Sequence, residues 1–253
     1  MFPSFLAGKN GEYSFVIDEL NIVIRIFVWV VPVIYAITLH EVAHGAVASY
    51  LGDTTARDAG RLSMNPFQHI DPVGSIVVPI FLLWISGFIF GWAKPVPVNE
   101  NNLNSPKRDM ILVAVAGPLA NFFMSLFWAI IMKLGYALLA TWSDVGQLFI
   151  YMGTAGIFIN AAVMLLNLLP FPPLDGGRIL TGLLPNRFSQ MLRKVEPWGF
   201  VILVTMIITG FISKLVWPMM VVEMAIVTHI VSTPTELFIE ALRVLLGKFD
   251  LVQ

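Results

Sequence analysis

The 253-residue chain contains no cysteine, which excludes a disulfide framework and any cysteine-ligated metal site. Charge is almost as scarce. Asp, Glu, Lys and Arg make up 12% of the residues, about half the share in soluble domains. The net charge of −1 offers no basic surface for nucleic acid. The N-terminal stretch MFPSFLAGKNGEYSF lacks a basic segment followed by an apolar core, so no cleavable signal peptide is expected and the first apolar span should do the targeting. What fills the space left by charge is apolar: 57% hydrophobic residues and a mean hydropathy of +0.81. These values point to an integral membrane protein.

Apolar segments recur along the chain. The first runs from about Ile22 to Leu51 and stops at Gly52-Asp53. Residues 73–93 are apolar but interrupted by Gly74, Pro79, Gly87 and Gly91. Residues 110–132 and 147–169 are two clean spans, and 198–213 with 215–231 predict a last pair of short ones. The tail, 232–253, reads as an amphipathic helix. Lys and Arg collect in the connections 53–72, 94–109 and 170–197, while 134–146 has neither. By the positive-inside rule those three connections are expected to be cytoplasmic and the N-terminus outside.

The first segment holds ITLHEVAHGAVASYLG, residues 37–52. His40, Glu41 and His44 form HExxH. On a helix His40 and His44 share a face and can grip one zinc ion, with Glu41 beside them as general base. Ionisable groups are costly inside a membrane, so their presence there marks function. Catalytic zinc commonly takes a third protein ligand. By residue type the candidates are His69, Asp175, Glu223 and His229. A metal transporter or metal-binding protein is the alternative class, but it has no need of a base next to the ligands.

Further motifs narrow the choice: GWAKPVPVN at 91–99, GPLAN at 117–121 and NLLPFPPLDGG at 167–177. With HExxH, in this order and spacing over residues 35 to 180, the chain resembles the site-2 protease family of intramembrane zinc metalloproteases, peptidase family M50. The resemblance implies an all-α polytopic membrane protein within a single domain, 1–253. Its three-helix core (about 20–180) would comprise the HExxH span, the GPxxN span and the span ending in the Asp-Gly motif. A re-entrant or extended element and two C-terminal spans complete the expected fold. It implies zinc on His40, His44 and Asp175, Glu41 as catalytic base, and substrate contacts from Asn167 and Asn121. The substrates would be transmembrane segments of other proteins, cut within the lipid of a prokaryotic cell membrane, towards its cytoplasmic side. Many members carry PDZ or CBS domains; a minimal form without either is expected here.

Zinc adds a topological demand. His44 and Asp175 must lie at similar depth near the same face, yet three apolar segments separate them. The interrupted one, 73–93, is therefore expected to be re-entrant. KPVPV, 94–98, is expected to be extended, either a plain connector or an edge that holds an unwound substrate by strand addition. Asn121, Asn160 and Asn167 could line a polar cavity reaching the zinc. Gly117, Ala120, Gly153 and Gly156 suit close helix packing.

Overall fold

The computed structural model describes residues 22–78 and 93–246. The helices are α1 (Ile22–Tyr50), α2 (Thr55–Asp58), α3 (Pro106–Leu138), α4 (Ser143–Asn167), α5 (Asp175–Leu183), α6 (Asn186–Val195), α7 (Gly199–Ile208), α8 (Phe211–Val231) and α9 (Thr235–Leu246). No strand occurs among the described residues. Among the described residues four helices, α1, α3, α4 and α8, are long and apolar enough to cross a membrane. The C-terminal pair differs from expectation. At 10 residues α7 rises only about 15 Å, short of a hydrocarbon core, and Gly210, at φ +70°, turns the chain immediately after it. Of that pair only α8 reaches spanning length. The tail forms α9, burying Leu237, Phe238 and Ala241.

The described residues divide into two compact units. One comprises 34–121 and 163–214, and contains every motif described above that carries chemistry. Its central contact is helix on helix. Ala36, His40, His44 and Ala48 are all buried and follow one another at intervals of four on α1. Such residues form a ridge. On α3, Val113, Gly117 and Asn121 form a matching ridge, buried along its length. Ala48, Leu103, Met110 and Val113 form a shared core, with Val47, Leu51 and Val98 packed against it.

Asp53 fastens the connection 99–102 to the end of α1. It is fully buried. Its carboxylate accepts from the Thr55 N–H and hydroxyl, at 3.1 and 2.5 Å, from the Asn99 N–H at 2.6 Å and from Asn102 Nδ2 at 3.1 Å. Burial pushes this carboxyl up, but those donors outweigh it and hold its pKa below the ordinary carboxylate value.

The interrupted segment begins with a π-helical turn, Val73–Val77, and its remainder, 79–92, lies outside the described residues. Its two flanks meet: the Lys94 N–H donates to His69 O at 2.9 Å. KPVPV itself has no strand partner among the described residues. Proline removes two of its five donors, and Arg61 donates to Lys94 O at 2.8 Å.

The other unit comprises the described parts of 1–33, 122–162 and 215–253. Apolar side chains gain nothing by leaving lipid, so packing there depends on close approach. Gly153 and Gly156 meet that need. A Cβ on Gly153 would lie 2.7 Å from Trp128 O, and one on Gly156 would collide with the Trp128 indole.

Candidate metal centre

Three ligand-type side chains converge in the first unit. His40 Nε2 lies 3.1 Å from Asp175 Oδ2, His44 Nε2 lies 3.2 Å from the same oxygen, and the two Nε2 atoms are 3.0 Å apart. All three residues are buried.

Their protonation follows from what lies behind them. His44 Nδ1 is 2.7 Å from Val113 O, a carbonyl that can only accept, so Nδ1 carries the proton. His40 Nδ1 is 2.6 Å from Asn121 Oδ1. The Asn121 amide is oriented by its Nδ2, which donates to Ala36 O at 3.1 Å, so Oδ1 must accept from His40. In neutral imidazoles both Nε2 atoms are then bare lone pairs. They point at one another and at a carboxylate oxygen with no hydrogen-bond donor of its own. Three acceptors within 4.8 Å repel each other unless a cation lies between them. Two imidazoles and a carboxylate match zinc, and the bonded Nδ1 atoms are the outer support that metal-binding histidines use.

The helices explain why these atoms can meet. A Cβ on Gly117 would collide with His44 Nε2 and would lie 2.6 Å from His40 Cε1, so only glycine lets both rings lie against α3. Pro118, with no N–H, removes the intrahelical donor to Ala114 O. Asp175 is the first residue of α5, following Leu174 in an extended conformation. Cβ atoms on Gly176 and Gly177 would clash with the backbone of Leu168, Leu169 and Phe171. The two glycines let the Asp-Gly turn fold onto the end of α4.

Glu41 is half-buried, and its Oε2 accepts from the Val96 N–H at 2.8 Å. Gly45, one turn on, leaves room for this approach: a Cβ there would lie 2.8 Å from Val96 Cγ1. Thus KPVPV lies against the HExxH helix through its only non-proline residue between Pro95 and Pro97.

The remaining sequence candidates lie elsewhere. His69 is buried, with Nε2 2.9 Å from Ser63 O. Glu223 and His229 belong to the other unit. None of them is in the cluster. Asn121 is engaged behind His40. Asn167 is half-buried and donates to Val163 O at 2.9 Å, and Asn160 donates to Gly156 O at 2.8 Å.

Sequence comparisons agree with this chemistry. Residues 138–210 match Peptidase family M50. Over 196 residues the chain is 37% identical to "Putative zinc metalloprotease YwhC" of Bacillus subtilis, covering 76% of this chain and 84% of that one. The chain belongs to peptidase family M50. A second relative is "Putative zinc metalloprotease Rip2" of Mycolicibacterium smegmatis. It is 28% identical over 180 residues, 71% of this chain and 66% of its own length. Rip2 of Mycobacterium tuberculosis H37Rv is 25% identical over 172 residues, and the chain spans 62% of it. No solved structure matches. This M50 member is a zinc metalloprotease, a hydrolase built on long apolar helices.

Proposed function

We propose that the protein is an intramembrane endopeptidase that hydrolyses peptide bonds within transmembrane segments of other membrane proteins. The observation carrying this reading is the convergence of three acceptor atoms, with tautomers set from behind, beside a carboxylate held on a backbone N–H. In this reading His40, His44 and Asp175 are the zinc ligands and Glu41 is the general base.

Bound zinc would supply Lewis acidity, polarising the scissile carbonyl and acidifying a water molecule. Glu41 then takes the proton from the attacking water and returns it to the departing amine. The Val96 N–H holds Oε2 of Glu41, leaving Oε1 as the atom that moves the proton. Asn121 and the Val113 carbonyl keep the two imidazoles in the ligating tautomer. Asn167 retains an amide oxygen that accepts from no described residue, suited to a substrate N–H.

Helices α1, α3, α4 and α8 are the crossings in this account. His69 and Lys94, on either side of the interrupted segment 73–93, are joined by a hydrogen bond, so in this account the chain lies at one face before and after that segment. The basic connections lie on the cytoplasmic side, and the bacterial relatives favour a bacterial cell membrane.

The test uses purified protein with zinc in lipid vesicles, given single-span bacterial membrane polypeptides. Wild-type protein cuts within the span. Glu41→Gln binds as much zinc and does not cut. The reading fails if Glu41→Gln cuts like wild type, or if wild type carries zinc across the vesicle membrane and cuts nothing.

A further inference from the structure

Within the same unit as the metal cluster, a groove of about 530 Å³ opens between residues 96–100, the start of α3, and helices α5 and α6. One part of its wall adjoins the chemistry. Val96, whose N–H holds Glu41, lines it, as does Gly177, two residues after Asp175. The rest of the wall mixes apolar residues, among them Met110 and Pro172, with polar and charged ones.

Those charges differ in how they are satisfied. Arg193 pairs with Glu100 at 2.9 Å. Lys107 Nζ donates to Leu184 O at 2.5 Å and to Asn186 Oδ1 at 3.3 Å. Arg178 also lines the groove and is exposed, yet no described residue forms a hydrogen bond or ion pair with its guanidinium. It sits on α5 three residues after Asp175, a rise of about 4.5 Å along the helix. A free guanidinium in a groove wall is a fork for a carboxylate, which it binds through two parallel hydrogen bonds.

We infer that this groove receives the stretch of substrate adjoining the scissile bond, and that Arg178 binds an acidic side chain of that stretch. The inference rests on the endopeptidase reading above. It deepens that reading by giving the enzyme a sequence preference. An extended chain advances about 3.3 Å per residue, so the acidic position lies within about three residues of the cut. The occupant is a peptide rather than a lipid headgroup because the groove's wall adjoins both the base and the Asp175 turn, where substrate backbone must pass.

The experiment uses the zinc-loaded full chain in phosphatidylcholine vesicles. The probes are single-span polypeptides identical except for Glu, Gln or Lys at each residue flanking the cut, which is located by mass spectrometry. For wild type, kcat/KM for Glu exceeds that for Lys by roughly tenfold at one position within about three residues of the cut. Arg178→Glu reverses that order, and Arg178→Lys keeps it. Wild-type order in Arg178→Glu overturns the inference while the endopeptidase reading stands. It is also overturned if the effect of Arg178→Glu appears only when anionic phosphatidylglycerol is added, equally for every probe, which assigns the guanidinium to lipid. Cleavage of no probe by zinc-loaded wild type overturns the endopeptidase reading, and the inference with it.

Discussion

The histidines of α1 and Glu223 of α8 are ionisable side chains buried in long helices, and they differ in what surrounds them. His40 and His44 on α1 are each held from behind by a specific acceptor, and their free nitrogens converge on Asp175. Glu223 on α8 is equally buried, but its carboxyl oxygens complete no hydrogen bond among the described residues, although the Ser125 hydroxyl is a neighbour. Burial alone therefore does not make a site. A metal centre needs several ligand atoms aimed at one point and an outer set of groups that fixes their proton positions. The α1 set has both; Glu223 has neither.

Substitutions can break that contrast from either side. The largest effect is expected at Gly117. A Gly117→Val side chain would occupy the place of the two imidazoles, so the purified protein should contain almost no zinc by atomic absorption and cut nothing. Asn121→Ala removes the acceptor that fixes His40 and should weaken zinc binding about 10- to 100-fold, read by competition with a chelator.

Asp53→Ala acts on the scaffold. It strands the donors now bonded to that carboxylate and should cost about 2 kcal/mol, seen as a lowered melting temperature in detergent. The folded pKa of Asp53 lies below its unfolded value. Its stabilisation is therefore complete above the ordinary carboxylate range and is lost as pH falls through the lowered folded pKa. The melting curves of wild type and variant should begin to converge only as pH falls below about 4. The smallest effect is expected at Glu223→Gln, which keeps the shape and removes no completed bond. Zinc content and cleavage should stay within about twofold of wild type, and a larger loss would show that Glu223 also serves the site.

The sequence made the local part of the centre legible because a helix enforces it. His40 and His44 share a face whatever else the chain does. Asp175 is legible only through the resemblance to a family, since four residues satisfy the need for a third ligand by type. The work of GPLAN was less visible. Gly117 and Asn121 stand four apart, the same interval as the two histidines, but that match has meaning only once α1 and α3 are known to pack ridge against ridge. Val96 was hidden for a related reason. Its flanking prolines announced an extended connector, while the bond to Glu41 also needs Gly45 to leave space on α1. Hydropathy marks 198–213 as a span because it does not register the turn at Gly210.

The central claim, that His40, His44 and Asp175 hold the zinc while Glu41 does not, is tested most directly by zinc X-ray absorption on the Glu41→Gln protein. The account predicts two imidazole nitrogens at about 2.0–2.1 Å and carboxylate oxygen at about 2.0–2.2 Å, with the same spectrum when Glu41 is restored. A spectrum without imidazole scattering, or one that changes its protein ligands when Glu41 is replaced, would contradict it.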